Sequence, residues 1–185
     1  MIKLSILTPS IPSRADRLAK LSATIAEQIG DLPVEHLVLI DNKRRTIGEK
    51  RDNLLRLANG EYIAFVDDDD TILPGYVDEL LRAINSAPDV ITFEQDAYFD
   101  GVLYRVNFRH GQPNNELLPD VLNTRAAWHV CAWERSIALR SRFPWIQYGE
   151  DWAWAEPLNA LELKEHHINK VLHEYHFRSE VTEAK

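Results

Sequence analysis

Apolar residues in the first half of the chain form two alternating patterns, short continuous runs and longer stretches with helical spacing. The short runs are Lys3 to Thr8, Val34 to Ile40 and Tyr62 to Val66, and each predicts a strand. The second and third runs are almost continuously apolar, which is typical of a strand buried on both faces in a parallel sheet. A fourth short strand is predicted over Val90 to Phe93.

The stretches between these strands have the spacing of amphipathic helices. Ser13 can cap the first helix, and Gly30 ends it. The second begins at a capping box, Thr46 to Glu49, and runs from Ile47 to Ala58. The third follows Pro74-Gly75. The apolar positions are Leu18, Leu21, Ile25 and Ile29 in the first helix and Val77, Leu80, Leu81 and Ile84 in the third.

The second half of the chain begins with a predicted hairpin from Glu94 to Arg109, with Asp100-Gly101 at its turn. Short helices are predicted near Arg135 to Arg140 and after Gly149. From His166 onward the pattern is mixed.

This order of elements predicts an α/β sandwich with a mostly parallel central sheet and one partly antiparallel end. A chain of 185 residues fits one domain. Ligands of such sheets bind beyond the carboxyl ends of the strands. Polar clusters are predicted there at Pro9–Arg14, Asp41–Arg45 and Asp67–Asp70.

Charge and composition narrow the classes of partner. The formal net charge of −8 argues against nucleic acid, because a surface of that sign repels phosphates. No apolar run approaches the roughly 20 residues that span a bilayer, and the N-terminal segment is too short for a signal peptide. We therefore expect no transmembrane segment and a cytoplasmic protein. Cys131 is the only cysteine, which excludes an internal disulfide and a Cys-based zinc site.

Two charged segments together suggest a site for a small anionic ligand. Four consecutive aspartates, Asp67 to Asp70, end the third predicted strand and repel one another unless a positive charge lies nearby. In an extended backbone Asp67 and Asp69 would share one face, where two carboxylates suit Mg²⁺ or Mn²⁺ together with waters and substrate phosphates. A solvated acidic turn that caps the next helix is the alternative. The nearby basic positions are Lys43, Arg44, Arg45, Lys50 and Arg51.

Several segments, in order, resemble the motifs of the inverting glycosyltransferases of family 2, which have the GT-A fold. The central one is GEYIAFVDDDDTILPGYVDELL, where the family typically has GEYIAFLDSDD followed by a helix start. The others are LSILTPSIPSRADRL, VEHLVLIDNK, TIGEKRDNLLRLANGEY and, after a gap, YGEDWAWAEPL. The resemblance implies a GT-A-like, Rossmann-like α/β/α sandwich, with a nucleotide-sugar-binding half at 1–93 and an acceptor half with a C-terminal tail at 94–185.

The resemblance also implies a reaction, which is metal-assisted transfer of a sugar from a nucleotide-diphosphate donor, expected to be a UDP-sugar. The acceptor would be a hydroxyl of a glycan, a lipid-linked glycan or a protein. Asp41 would contact the base and Arg51 the nucleotide. Asp67 would face the ribose or the metal, and Asp69 would ligate the Mn²⁺ or Mg²⁺ that bridges the two phosphates. Asp151 would be the general base.

The donor side also includes Pro9 and Asp68, which lie in the polar clusters after the first and third predicted strands. The chain departs from the family pattern after Asp41, where Asn42-Lys43 stands in place of a second Asp or a Gly-Ser. The segment between the fourth strand and the Glu-Asp motif is also short. The acceptor-binding region is therefore small or is donated by a partner.

Other residues are candidates on chemical grounds. Activation of an acceptor hydroxyl needs a carboxylate within hydrogen-bond reach, and Glu150 is the alternative to its neighbour. His176 is a candidate metal ligand. Trp152 could stack on an acceptor sugar, and Arg178 is assigned to the acceptor side, where its guanidinium could also reach a phosphate. A plain helix N-terminus at Gly149–Asp151 and core packing of the tryptophans are the structural alternatives.

Two other functions fit the same residues. FVDDDDTIL matches the strand-end pattern of haloacid-dehalogenase-like phosphatases, with Asp67 as nucleophile and Asp69 as acid/base. That motif normally follows the first strand of the phosphatases, whereas two strand–helix units precede it here. The second alternative is a non-catalytic domain that binds only a nucleotide or a partner protein.

Overall fold

The computed structural model describes residues 1–177, and strands and helices alternate through its first half as the apolar spacing predicts. The helices are α1 (Ala15–Ile29), α2 (Ile47–Leu57), α3 (Tyr76–Ile84), α4 (Arg135–Ala138) and α5 (Glu150–Asn159), and a 3-10 turn covers Pro12–Arg14. The strands are β1 (Leu4–Ser10), β2 (Val34–Ile40), β3 (Tyr62–Phe65), β4 (Thr71–Ile72), β5 (Val90–Phe99), β6 (Val102–Arg109), β7 (Leu122–Ala126), β8 (Ala132–Glu134) and β9 (Glu165–Phe177).

A nine-stranded mixed sheet runs through both halves of the chain. The strand order is β2-β1-β3-β8-β5-β6-β7, with β9 beside β5 and β4 beside β9. Strands β2, β1 and β3 are parallel, and β8 is antiparallel to β3 and to β5. The predicted hairpin is present as the antiparallel pair β5–β6. The predicted α/β fold class is therefore confirmed.

Two hydrophobic cores, one on each face of the sheet, hold the layers together. Along β3, Ile63 and Phe65 belong to one core, whereas Tyr62 and Ala64 belong to the other, as the two-residue period of a strand requires. The first core includes residues of α2, α4 and α5, and the second includes residues of α1 and α3. Helices therefore cover both faces of the sheet, which gives the three layers of an α/β/α sandwich.

Helix α2 confirms its predicted cap and also makes a close contact that the sequence does not indicate. Thr46 Oγ1 accepts a hydrogen bond from the Glu49 amide at 3.1 Å. The Gly48 amide donates to the Ile146 carbonyl at 3.2 Å. A Cβ atom at Gly48 would lie 1.9 Å from the Pro144 carbonyl oxygen, so only glycine fits there. The loop before α5 therefore packs directly on the first turn of α2.

Several local predictions are wrong, each for a tertiary reason. Strand β2 is an edge strand in which Val38 and Ile40 are 37% and 53% exposed, so it is not buried on both faces. The short fourth strand and the first arm of the hairpin form one strand, β5. The sequence assigns no element to the mixed segment from His166, and as far as Phe177 this segment lies within a strand of 13 residues that pairs with β5. Ser13 makes no side-chain cap, because it lies in the 3-10 turn that precedes α1.

Within residues 1–177, no helix combines the length and the apolar character that crossing a bilayer requires.

The half-buried His36 side chain on β2 predicts a specific pH dependence of stability. Thr8 Oγ1 donates to the Val66 carbonyl and lies 3.0 Å from His36 Nε2, so His36 is the donor in the second contact. Burial lowers the pKa of His36 from its ordinary 6.5 to about 4. Between these values the unfolded chain binds the proton and the folded chain does not, so stability falls as the pH drops from 6.5 towards 4.

Urea unfolding at pH 7.5 and pH 5 measures how much the titration of His36 changes the free energy of unfolding. The comparison is with His36→Gln, which keeps an amide donor but does not titrate. The unsubstituted chain should lose more of its unfolding free energy between the two pH values than the variant. Equal losses would exclude His36 as the titrating group.

Candidate functional site

Arg51, on α2, is the buried cation around which the charged groups at the sheet edge are arranged. Its Nη2 donates to Asp67 Oδ2 at 2.8 Å and its Nε donates to Glu150 Oε1 at 3.1 Å. Only 3% of its side chain is exposed, and its guanidinium carbon lies 5.3 Å from the centroid of the Phe65 ring. Burial alone would lower the pKa of Arg51, but the charges of Asp67 and Glu150 raise it above its ordinary value.

The four aspartates after β3 form a turn rather than an extended strand end. The Asp70 amide donates to the Asp67 carbonyl at 3.1 Å. The predicted alternation of side chains is therefore wrong, although Asp67 and Asp69 still line one cavity. Asp68 is buried and accepts hydrogen bonds from Ser10 Oγ at 2.6 Å and from an Arg14 nitrogen at 2.8 Å.

Two of these aspartates differ sharply in their electrostatic environment. Burial favours the protonated form of Asp67, but Arg51 and then His129 outweigh it and hold the pKa of Asp67 well below its usual range. Burial and the neighbouring charges of Asp67 and Asp70 instead raise the pKa of Asp69 to about 6, despite Arg14. Asp69 therefore lies where additional positive charge would be favourable.

Asp70 ties the acidic turn to β9 and β5. Its Oδ2 lies 3.2 Å from His173 Nε2, and His173 Nδ1 lies 2.9 Å from the Gln95 side-chain nitrogen. His173 is fully buried. These contacts fix Asp70 at the end of the turn. The other three aspartates, Asp67 to Asp69, line the ionic cavity described below.

The start of α5 points its two acidic side chains in different directions. Gly149 has φ +78°, a conformation that suits glycine, and the helix begins at the next residue. Glu150 turns inward to Arg51, and burial raises its pKa despite that cation. Asp151 is 25% exposed. Its Oδ1 accepts a hydrogen bond from the Trp152 amide at 2.7 Å, and Oδ2 lies 3.7 Å from His129 Nδ1.

A cavity of about 430 Å³, which we call the ionic cavity, lies at the carboxyl ends of β1 and β3. Most of the residues predicted for the site line it, and so do several cations from the basic segments. The predicted residues are Pro9, Arg51, Asp67, Asp68, Asp69, Glu150, Asp151 and His176, and the further cations are Arg14, Lys43, Arg45 and Lys50.

A second cavity of about 330 Å³, which we call the apolar cavity, lies beside the first. Asp67, Asp151 and Tyr175 line both cavities and form the wall between them. Burial and the charges of Asp70 and Asp67 raise the pKa of Tyr175 to about 12, so its hydroxyl stays protonated. The remaining walls of the apolar cavity come mainly from β5, β6 and the segment before β8, and include Phe99, Val106, Phe108, Leu117, Arg125 and Trp128.

Some predicted residues lie outside these cavities. Asp41 does not line either one, and its carboxylate pairs with Lys50 at 3.2 Å and accepts from the Arg45 amide at 2.7 Å. Trp152 also lines neither, and its ring packs against Trp128 with centroids 5.9 Å apart. Arg178 lies outside the described residues.

The predicted trio of metal ligands is not assembled as a protein-only site. Asp67, Asp69 and His176 line the ionic cavity, but no group of three or more His, Cys, Asp or Glu side chains within residues 1–177 is arranged to hold an ion. The His176 ring stacks on Tyr98 with centroids 4.9 Å apart.

His129 is the main site residue that sequence reasoning missed. Its Nε2 lies 3.9 Å from Asp67 Oδ2, and its Nδ1 lies 3.7 Å from Asp151 Oδ2, so one ring stands between the two carboxylates. The residue occurs in the segment AAWHVCAW, and a single titratable side chain in an otherwise apolar stretch is the only signal that could have indicated it.

Comparison with known proteins places the chain in a family and identifies its fold. A curated relative, EpsH of Bacillus subtilis (strain 168), whose assigned name is that of a glycosyltransferase, is 31% identical over 85 residues. That match covers 46% of this chain and 24% of EpsH. The chain therefore spans only a part of the length of this relative.

Solved structures share the fold. S. aureus TarS 1–349 in complex with UDP-GlcNAc superposes with a TM-score of 0.63 at 18% identity, over 96% of this chain and 59% of that one. A197 from STIV gives a TM-score of 0.51 at 12% identity, over 91% of this chain and 82% of that one. The model of a family described as glycosyl transferase family 2 matches residues 15–140, more than half of the sequence. The chain thus belongs to glycosyl transferase family 2.

Proposed function

We propose that the chain transfers a sugar from a nucleotide-diphosphate donor, a UDP-sugar, to a hydroxyl acceptor with inversion at the anomeric carbon. The observation that carries the proposal is the shared wall between the two cavities, because Asp151 faces both of them. Family membership and the likeness to a TarS structure that contains UDP-GlcNAc support the choice of donor.

The ionic cavity contains cations that a diphosphate requires, beside five carboxylates whose charge a divalent ion would balance. The formal net charge of the whole chain is −8, but this cavity is lined by Arg14, Lys43, Arg45 and Lys50. Lys50 is held by Asp41 at 3.2 Å and donates to the Ser10 carbonyl at 3.1 Å, so its ammonium group is fixed in place. Fixed cations stabilise phosphate charge without reorganising during the reaction. We assign this cavity and the half at 1–93 to the donor.

The acidic turn fits a divalent cation shared with the donor. Asp67 Oδ1 is buried and has no hydrogen-bond partner among the described residues, and the raised pKa of Asp69 marks a deficit of positive charge. Mg²⁺ and Mn²⁺ need only one or two protein carboxylates when phosphates and waters supply the other ligands. Asp67 and Asp69 would hold the ion, with His176 nearby, and the ion would neutralise the charge that develops on the leaving diphosphate.

Asp151 is the group best placed to act as general base. Inversion requires the acceptor hydroxyl to approach the anomeric carbon from the side opposite the diphosphate. A base on the wall between the cavities meets this requirement. Glu150 does not, because its carboxylate is buried against Arg51.

His129 would position this base. One ring nitrogen faces Asp151 and the other faces Asp67, so the imidazole fixes the orientation of the base relative to the donor site. The acceptor would then enter from the apolar cavity, which the half at 94–185 supplies almost entirely.

The position of the aspartates in the fold disfavours the phosphatase alternative. In such phosphatases the nucleophilic aspartate normally follows the first strand, whereas Asp67 follows the third strand of this chain, within the segment that matches family 2.

Donor binding tests the first part of the proposal. UDP-GlcNAc with Mn²⁺ should raise the melting temperature, because a ligand at roughly a hundredfold excess over its Kd stabilises the native state by about 2.7 kcal/mol. Asp69→Ala should lose most of this shift. Asp78→Ala, an exposed acidic residue on α3, is the matched control and should keep it. Equal shifts in both variants would contradict the role of Asp69.

The base assignment is tested by UDP release from UDP-GlcNAc with a panel of hydroxyl acceptors. Asp151→Asn keeps the shape of the side chain but cannot accept the proton, so the rate should fall by roughly 10²–10⁴. The melting-temperature shift with donor should remain. Glu150→Gln is the comparison, since it weakens the contact with Arg51 and should reduce stability and donor binding. A normal rate in Asp151→Asn would overturn the assignment.

A further inference from the structure

The apolar cavity has features that specify the chemistry of the acceptor, and this inference rests on the function proposed above. We propose that the acceptor is a hydroxyl compound with a compact apolar body and an anionic group. The hydroxyl would point to Asp151, the apolar body would fill the cavity, and the anion would pair with Arg125.

The walls of the cavity require an apolar body. Val106 and Phe108 from β6 and Val130 are almost completely buried and line it, and Phe99 and Leu117 pack against them. A bare sugar would leave several hydroxyls against these side chains without hydrogen-bond partners, which is costly. An aromatic or short aliphatic group gains free energy from the same surface. The volume of about 330 Å³ lies at the small end of ligand pockets and limits the body to a compact group.

Arg125 supplies the cation. It lies on β7, and its guanidinium carbon lies 5.5 Å from the centroid of the Trp128 ring. One of its nitrogens makes a long contact of 3.4 Å with the Asn115 carbonyl. Within residues 1–177 it forms no ion pair with an acidic side chain, which distinguishes it from Arg51 and Arg109. A half-buried guanidinium over an aromatic ring is suited to a carboxylate or a phosphate.

The carboxylates of the cavity fix the orientation of the acceptor. Asp67, Asp70 and Asp151 also line it, and an anion near them would be repelled. The anionic group of an acceptor is therefore favourable only beside Arg125. A hydroxyl has the opposite preference, because it can donate to Asp151. An anionic group that pairs with Arg125 and a hydroxyl that donates to Asp151 would thus select a single binding pose for the apolar body.

The test uses three small probes that share a benzyl alcohol body and carry an anionic, a neutral or a cationic group in the para position: 4-(hydroxymethyl)benzoate, 4-(hydroxymethyl)benzamide and 4-(aminomethyl)benzyl alcohol. Binding is followed through the NMR signals of the Val106, Leu117 and Val130 methyl groups, which line the apolar cavity. The anion should bind about tenfold more tightly than the neutral probe, and the cation should bind most weakly. Preferential binding of the cation, or no shift at these methyls with any probe, would overturn the proposal.

Variants separate charge recognition from packing. Arg125→Gln should remove the preference for the anion over the neutral probe, and Arg125→Lys should restore it. Arg105→Gln, an exposed arginine on β6 that pairs with Asp96, is the control and should leave the preference unchanged. A preference that persists in Arg125→Gln would refute the assignment of Arg125.

The donor site is monitored in the same samples. UDP-GlcNAc with Mg²⁺, which is diamagnetic, should shift the signals of the Ile11 and Ile47 methyl groups, which line the ionic cavity. Failure there, with the probe series intact, would count against the proposed function alone. A shift of these methyl signals with the donor, without the expected preference among the probes, would count against the acceptor chemistry alone.

Discussion

The pairing of Arg51 with two carboxylates is the constraint on which the rest of the site depends. The guanidinium joins α2 to Asp67 after β3 and to Glu150 at the start of α5, residues that are 16 and 99 positions away along the chain. Removing one partner of a buried ion pair leaves an unpaired charge, which is strongly destabilising. Separation of these three elements therefore costs free energy. Asp151 takes its position because the contact with Arg51 holds its neighbour Glu150.

The side chains of the acidic turn meet separate partners, which explains how four adjacent aspartates are tolerated. Asp67 meets Arg51, Asp68 meets Arg14, and Asp70 faces His173. Asp69 has contacts of 3.3 and 3.4 Å with Arg14 and Arg17, but its pKa is still raised. The charge balance is incomplete at Asp69, which lines the ionic cavity. Additional positive charge near Asp69 is therefore favourable in the folded chain, and a bound ligand that carries a cation can supply it.

The sequence predicts those features that depend on local spacing. The first three helices, the cap at Thr46 and the gathering of Asp67, Asp69, Arg51 and Asp151 at one sheet edge follow from periodicity, from strand ends and from motif order. Features that depend on the order of strands in the sheet do not follow. The exposure of Ile40 requires knowing that β2 is an edge strand. The placement of His129 requires the pairing of β8 with β3 and β5, and the apolar cavity combines residues from distant segments.

The contact between Gly48 and the Pro144–Ile146 loop has a consequence for the motions of the site. The Gly48 amide donates to the Ile146 carbonyl, and the loop leaves no space for a side chain at this position. The first turn of α2 and the loop before α5 must therefore move as a unit or separate completely. Deuterium can replace the Gly48 amide proton only after that separation, so its exchange rate reports how often the wall that carries Asp151 opens.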